Sequence, residues 1–454
     1  MDLSDKLALG GKEDEVGAAL CEMRGSMVNS GGENIVMFAS INPSFVSMLN
    51  EWQLKLPYNL IWFGYSQTHL PFTYGIKFPI PATLRRDHLK NLKEGEGDAD
   101  FGAFEKSGIE SRQYLKWAYD NIATTFPGYA PDEIIGYVLK IDRYCHGVFN
   151  FTKPKLCIVW NSFCVFNKIA RAIADSKKIP VLYVESGNLP GTINIETYGQ
   201  MGESKPAVKW GEFGSLPISA RDADRAAKVL DYLRKSGFNR NIQKKSRENL
   251  SLKLKKGRPT VFYAGQNDIE SGIFPYDENS KKYHSPIFSS SYEAMLHLAE
   301  LAEENGWNFI YKPHPIMVRW NVEKDYVPEN AIYVKEGDIN EIIDASDVTV
   351  TILSTTSYIA LIREKPVVML GYMQLRGQGC AYEAFEKEKI GSEIKNALER
   401  GFDRGQKQAF AEHVARMNKY YLFDSGMPRE IYYGQSIAKS IGFVGRAING
   451  KAEF

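Results

Sequence analysis

The residue types that could do chemistry gather most clearly in the second half of the chain. An apolar run over residues 308–311 ends in Lys312-Pro-His-Pro315, and about forty residues on, a second apolar run gives way to Ser354-Thr-Thr-Ser357. Proline fixes φ and lacks an N–H, so the two prolines stop strand and helix alike and leave Lys312 and His314 at a strand's carboxyl end. Ser354, Thr355 and Thr356 fall between a strand and a helix. Their hydroxyls and the helix's unpaired N–H groups would there converge with the positive end of the dipole. An ammonium, an imidazole and such a turn suit a phosphate, and ligands of open α/β sheets sit at that edge. The plainer readings are a proline turn with a solvated lysine and a structural histidine, and simple helix capping, which Ser and Thr favour.

Two carboxylates, Glu185 and Asp268, each follow the last apolar residues of a strand, one in each half of the chain. Acids in different environments can divide nucleophilic and acid–base roles, although capping or a surface position would explain either. Asn161, Asn188 and Gln266 carry amides that could orient sugar hydroxyls, since a buried amide without partners is costly. Gly187 and Gly265 could turn backbone N–H groups toward an anion, or serve only as turn glycines. His146 falls late in an expected helix and reads as structural. The Asp-Ala-Asp triplets at 98–100 and 222–224 do not follow apolar strands, so neither a metal nor another cofactor is expected.

These residues need strands and helices to position them. Strands are expected at 34–40, 60–63, 156–160 and 180–185, with helices over 42–56, 110–124 and 131–149 and another between the last two strands. Residues 73–130 are weakly patterned at first. A second alternating series has strands at 260–264, 307–311, 331–334, 348–352 and 367–370, with helices over 292–305, 339–345 and 357–363. Alternation of this kind predicts parallel sheets. Between the series, residues 234–258 hold ten Lys or Arg against one acid, Glu248. The domain reading is a partly disordered lead-in at 1–33, a first α/β domain at 34–240, and a basic linker at 241–258. A second α/β domain follows at 259–430, then a helical tail at 431–454.

The chain has 454 residues, enough for two domains of roughly 200 residues each. A formal charge of +1, from 56 basic and 55 acidic residues, argues against a dedicated nucleic-acid binder. Five cysteines without C-x-x-C spacing indicate neither a zinc site nor a disulfide framework. With no apolar signal core and no run of about 18 apolar residues, a cytoplasmic protein is expected. The basic run could hold it peripherally on an anionic membrane surface, or be a solvated linker face.

In this order and spacing, the chain resembles the bacterial capsule polysaccharide biosynthesis family, the Kdo transferases of capsule and lipopolysaccharide assembly. The residues that carry the resemblance are 38–45, Trp160-Asn161, Glu185-Ser-Gly-Asn-Leu-Pro-Gly-Thr192, Gly265-Gln-Asn-Asp268, Lys312-Pro-His-Pro315, Ser354-Thr-Thr356 and Lys365-Pro-Val-Val. The resemblance covers most of residues 35–430. It implies a GT-B glycosyltransferase, with two Rossmann-like domains whose parallel sheets face across a cleft, and CMP-Kdo as donor on the second domain. It further implies that Asp268 is a covalent nucleophile, that Glu185 acts on the acceptor hydroxyl, and that His314, Lys312, Ser354, Thr355, Thr356, Gln266 and Gly265 meet the donor. Asn161, Gly187 and Asn188 would then lie nearer the acceptor, a glycan or lipid-linked glycan. One position departs: where such enzymes often carry Glu-Ala-Leu after the hydroxyl cluster, this chain has Ile359-Ala-Leu. Three other readings remain open: another CMP-sugar transferase of sialyltransferase type, a nucleotide-sugar 2-epimerase, and a catalytically silent assembly subunit.

Overall fold

The computed structural model describes residues 15–27, 32–38, 43–64, 76–81, 84, 109, 112–126, 128–237, 252–319, 326–426 and 430–451. It divides into two compact units, Met1–Glu185 with Ile437–Glu453, and Ser186–Ser436.

The first unit holds β1 (Asn34–Phe38), β2 (Asn59–Gly64), β3 (Ile76–Pro79), β4 (Leu156–Trp160) and β5 (Val181–Ser186). Their order is β5-β4-β1-β2-β3, and every pair is parallel. Strands buried on both faces read as unbroken apolar runs, as Ile35 to Phe38 and Leu156 to Trp160 do. One face packs Phe38 against Phe63 at 5.1 Å and against Phe149 of the helix Pro131–Thr152 at 6.1 Å, between ring centroids. Within 1–33, residues 1–14 and 28–31 lie outside the described residues. The helix Glu15–Met27 buries Val16, Leu20 and Met23 in this core. The chain returns here at its end: in the helix Ile437–Ile448, Ser440 Oγ accepts the Trp52 indole N–H at 2.7 Å.

The second unit carries β6 (Thr192–Glu196), β7 (Thr260–Ala264), β8 (Asn308–Lys312), β9 (Ala331–Tyr333), β10 (Val348–Thr351), β11 (Val367–Met369), β12 (Tyr382–Glu383) and β13 (Leu422–Asp424). Six of them form a sheet in the order β12-β11-β10-β7-β8-β9, parallel throughout, and β6 pairs with β13 antiparallel. Both units are thus of the α/β class with parallel strands, as the alternation predicts.

The division of the chain differs from the one drawn on sequence. Residues 186–236 were expected to close the first domain, yet they pack with the second unit. Ala226, Val229, Leu230 and Leu233 of the helix Ala220–Ser236 enter its core. Arg234 Nε donates to the Ile362 carbonyl at 2.9 Å, and its guanidinium pairs with Glu364 at 3.0 Å. The cause is the spacing of those four apolar residues, a helical stripe that needs a covering surface. Most of the basic run, 238–251, lies outside the described residues; of its remainder, Lys255 anchors on Asn308 through its backbone N–H at 2.9 Å.

Candidate functional site

Register in the second sheet fixes where its loops emerge. Thr351 of β10, Ala264 of β7 and Lys312 of β8 stand side by side, so the segments that follow leave one carboxyl edge together. Adjacent strands are about 4.8 Å apart, which starts the three loops within roughly 10 Å of one another. Sequence order runs from β7 through β8 to β9 on one side and from β10 through β11 to β12 on the other. The reversal falls between β7 and β10, the place where open α/β sheets form a ligand crevice. Gly265, Gln266 and Asp268 emerge on one side of that reversal and Ser354, Thr355 and Thr356 on the other. Lys312 and His314 emerge one strand further along.

Asp268 is the most constrained of these. It is 2% exposed, and its Oδ2 accepts the Ser291 N–H at 2.9 Å. Its Oδ1 is buried with no hydrogen-bond partner among the described residues. Burial pushes the carboxyl up to about 7, against the opposing pull of the Ser291 N–H. Ser291 opens the helix Ser291–Asn305, whose dipole also favours a negative charge at that end. The same serine holds the rest of the turn. Its Oγ accepts the Gln266 N–H at 2.9 Å and lies 2.9 Å from the Tyr263 hydroxyl, which also reaches the Ser291 carbonyl at 3.2 Å. Gln266 Oε1 is buried without a partner among the described residues.

On the neighbouring strand, Lys312 is 7% exposed and its ammonium makes no hydrogen bond or salt bridge among the described residues. Burial lowers its proton affinity, and the charge of Glu336 partly restores it. A buried cation of this kind is expensive unless an anion meets it. His314 follows at the start of the short helix Pro315–Arg319, where its Nδ1 accepts the Ile316 N–H at 3.2 Å. With Nδ1 an acceptor, the ring's proton sits on Nε2, which makes His314 a donor on that side.

Other expected contacts are already committed internally. The Gly265 N–H goes to the Lys312 carbonyl and the Gly187 N–H to the Thr192 carbonyl, each at 2.8 Å, so neither is available to an anion. Both are glycines for reasons of space. A Cβ at Gly187 would lie 2.0 Å from Thr192 Oγ1, and one at Gly265 would lie 3.0 Å from the Lys312 carbonyl oxygen. At the hydroxyl cluster the helix is only Thr356–Ile362, and its first N–H groups are occupied: Thr356 by Ser354 Oγ at 3.3 Å, Ser357 by the Ser354 carbonyl and Tyr358 by the Thr355 carbonyl, each at 3.1 Å. Ser354 Oγ also donates its proton to Thr356 Oγ1 at 3.0 Å, so what the cluster offers as donors is the hydroxyls of Thr355 and Thr356 rather than a free backbone cradle. Ile359 is half-buried against the core, an apolar packing position. Asn188 donates to Gln374 Oε1 at 3.1 Å and accepts from Asn194 Nδ2 at 3.4 Å.

Asn161 and Glu185 belong to the first unit. Asn161 follows β4, beside the reversal between β1 and β4, with a left-handed φ of 56° that asparagine tolerates. Its Oδ1 accepts the Phe163 N–H at 3.0 Å. Glu185 is half-buried at the end of β5. His146 lies 3.6 Å from Asp142 on its own helix. Asp222 caps the helix Ala220–Ser236 together with Ser219, whereas residues 98–100, like 39–42 of the segment 38–45, lie outside the described residues.

Ser291 and a second buried acid escaped the sequence reading. Ser290-Ser-Tyr-Glu293 has the spacing of a helix start, and Ser290 Oγ does accept the Glu293 N–H at 3.1 Å, but nothing in that motif shows that Ser291 would face Asp268. Glu196 on β6 is buried and pushed up to about 8 by that burial, despite the Lys205 N–H at 2.8 Å and a hydrogen bond from the Tyr421 hydroxyl. Its partners come from distant sequence. Among the described residues no group of three or more His, Cys, Asp or Glu gathers as a metal site would require, and no helix is long and apolar enough to cross a membrane.

The family model described as "Capsule polysaccharide biosynthesis protein" matches residues 222–400, which include the whole edge from Gly265 to Thr356. Solved structures similar to this chain include KpsC of Thermosulfurimonas dismutans, a beta Kdo 2,7 transferase. It is 17% identical, covering 72% of this chain and 94% of its own, with a TM-score of 0.40. The beta Kdo 2,4 transferase of the same organism's KpsC is 16% identical, covering 57% and 79%, also with a TM-score of 0.40. The glycosyltransferase SnogD of Streptomyces nogalater is 10% identical, covering 91% and 99%, with a TM-score of 0.31. No curated protein matches the chain in sequence.

Proposed function

We propose that this chain, whose residues 222–400 match the capsule polysaccharide biosynthesis family, is a glycosyltransferase of capsule synthesis that takes Kdo from CMP-Kdo. The observation that carries this reading is an acid and a lysine, both largely buried and incompletely partnered, at one sheet edge. Asp268 has a buried Oδ1 with no hydrogen-bond partner among the described residues, and Lys312, one strand away, is a largely buried lysine that makes no hydrogen bond or salt bridge among them and feels only the nearby charge of Glu336. An anionic donor supplies what each lacks: a phosphate or carboxylate for Lys312, and an electrophilic anomeric carbon for Asp268.

In the retaining form of the reaction, Asp268 Oδ1 bonds to the anomeric carbon while that carbon's bond to the phosphate oxygen breaks, and the electron pair leaves with CMP. Lys312, the Nε2–H of His314 and the hydroxyls of Thr355 and Thr356 are the donors for the departing phosphate, with Ser354 Oγ donating to Thr356 Oγ1 and so orienting that hydroxyl. One such donor contributes on the order of 3 kcal/mol in comparable oxyanion sites. The acceptor hydroxyl oxygen then attacks the same carbon, the bond to Asp268 breaks, and the hydroxyl proton passes to a base. The resemblance gives that role to Glu185. The near-neutral carboxyl of Asp268 favours one second reading, in which it serves as the base for a direct, inverting displacement.

Mass spectrometry of the protein after incubation with CMP-Kdo, with and without a mixture of sugar acceptors, separates these readings. A Kdo adduct on the peptide containing Asp268, cleared by acceptor, is expected. Transfer without any adduct under rapid quench favours the inverting displacement. Absence of both CMP binding and transfer overturns the donor assignment, and isomerisation of the donor without acceptor points to the epimerase class. Attachment to anionic lipid through 234–258 belongs to the same reading. Unchanged vesicle affinity after neutralising Lys244, Lys245, Lys253, Lys255 and Lys256 removes it.

A further inference from the structure

The segment that follows β11 leaves the same carboxyl edge as Asp268, two strands away in the order β11-β10-β7. It includes Gly377, which has a left-handed φ of 66°. The indole of Trp210 lies against this glycine: a Cβ built there would stand 2.2 Å from Cε3, 2.6 Å from Cδ2 and 2.8 Å from Cζ3. The closest ring atom is flanked by its two bonded neighbours only slightly farther away. That pattern describes an approach onto the ring's face, because an approach in the ring plane would put the neighbours much farther off. Only glycine fits, and one face of the indole rests on its backbone.

The contact is pinned on both sides. Gln378 Nε2 donates to the Trp210 carbonyl at 3.1 Å, and Glu383 Oε1 accepts the Gly377 N–H at 2.6 Å. Trp210 nonetheless remains 42% exposed, the one exposed tryptophan among the described residues. Trp210 keeps this exposure although Gly377 covers one face of its ring. Lys209 and Glu212, its near neighbours in sequence, are both exposed, and the guanidinium of Arg376, next to Gly377, is stacked 3.9 Å from the centroid of Tyr372.

A flat apolar face held in place and bordered by polar side chains differs from a protein-docking patch, which needs a contiguous apolar area. It matches a pyranose, whose axial C–H face is apolar while its equatorial hydroxyls seek donors and acceptors at the rim. Rigid aromatic rings supply such contact at little entropic cost. We infer that Trp210, seated on Gly377, is a stacking subsite for a sugar of the glycan acceptor, at the edge where transfer takes place but apart from the reacting groups. The ligand's identity rests on the proposed function; the platform does not depend on how Asp268 acts.

Calorimetric titration of the full chain, without donor, with synthetic Kdo oligosaccharides of one and four residues tests it. The wild type is expected to bind the tetrasaccharide more tightly than the monosaccharide. Trp210→Ala should lose about tenfold in tetrasaccharide affinity, a difference of about 1.4 kcal/mol, while Trp210→Phe keeps most of it. Equal tetrasaccharide affinity in wild type and Trp210→Ala overturns the inference, as does a wild type that binds no tetrasaccharide. Failure of the wild type to bind CMP or cleave CMP-Kdo counts against the proposed function instead and leaves the binding comparison standing.

Discussion

Replacing Asp268 by asparagine should make the protein more stable while abolishing transfer, and the gain should depend on pH in a defined direction. The side chain is buried, only one oxygen is hydrogen-bonded, and burial raises its carboxyl from 3.8 to about 7. Each pKa unit corresponds to about 1.4 kcal/mol, so the charged form is disfavoured in the folded state by on the order of 4 kcal/mol. The sign follows from proton counting. Between pH 4 and 7 the unfolded chain releases this proton while the folded chain retains it, so stability falls as pH rises through that window and the full penalty is present above about 7. Asparagine cannot ionise, and its oxygen can still accept the Ser291 N–H. Little advantage is therefore expected near pH 4.5 and the largest above pH 8. For a unit of this size, about 1 kcal/mol moves the thermal midpoint by roughly 2 to 4 °C. Thermal unfolding of wild type and Asp268→Asn at pH 4.5 and 8.5 should show the variant gaining several degrees more at the higher pH. An equal gain at both, or a loss at pH 8.5, would mean that the buried carboxylate is not held against its solvation, and the account of Asp268 as a strained reactive group would fail.

The same carboxyl fixes a pH profile: a nucleophile must be ionised, so single-turnover cleavage of CMP-Kdo should rise with pH through about 7, and a flat profile between pH 5 and 8 would contradict the assignment. Lys312→Met should weaken CMP-Kdo binding by on the order of tenfold or more, as expected for loss of a charged hydrogen bond. Its thermal midpoint should not drop, because a largely buried cation with no hydrogen bond or salt bridge among the described residues is removed; equilibrium binding and unfolding measured on one preparation check both halves. Ser291→Ala removes the acceptor for the Gln266 N–H and the partner of Tyr263 but leaves the backbone N–H to Asp268. It should cost about 1 to 3 kcal/mol of stability. Its kcat should fall more than donor affinity changes; unchanged kcat would show that Ser291 holds the fold and not the acid.

Much of the second sheet was legible because its strands are short apolar runs bounded by residues that cannot continue them. Pro313 and Pro315 stop β8 within one residue of the expected end, and Gly265 ends β7 where the strand was drawn. What escaped notice was whatever depends on pairing rather than on pattern. β3 is a four-residue strand, Ile-Lys-Phe-Pro, within a stretch of little periodicity, and it exists because β2 offers it an edge. β6 and β13 are separated by more than two hundred residues and define each other only on contact. The helix Ala220–Ser236 carries its apolar stripe openly, but a stripe does not say which sheet will cover it, and for that reason the division of the chain was misplaced.

The site shows the same asymmetry between the type of a residue and the state of its groups. Sequence identifies Gly265, Gly187 and the Ser354 cluster as backbone that could hold an anion, because glycine and hydroxyl residues at strand ends usually leave N–H groups free. Whether those groups remain free depends on where the adjoining carbonyls fall, and here Lys312 and Thr192 take the N–H groups of Gly265 and Gly187. Asp268 and Lys312 illustrate the converse. An acid and a lysine at strand ends would ordinarily be solvated, and nothing in their neighbours announces burial. They are buried because Ser291 draws the loop after β7 onto the start of the helix Ser291–Asn305, and because β8 lies inside the sheet, between β7 and β9. An incompletely partnered acid and lysine beside a reversal point of a parallel sheet cost stability that packing alone would not retain. The arrangement is intelligible if an anionic ligand completes it, and it is the completeness of hydrogen bonding, more than residue identity, that separates the reactive positions from the structural ones.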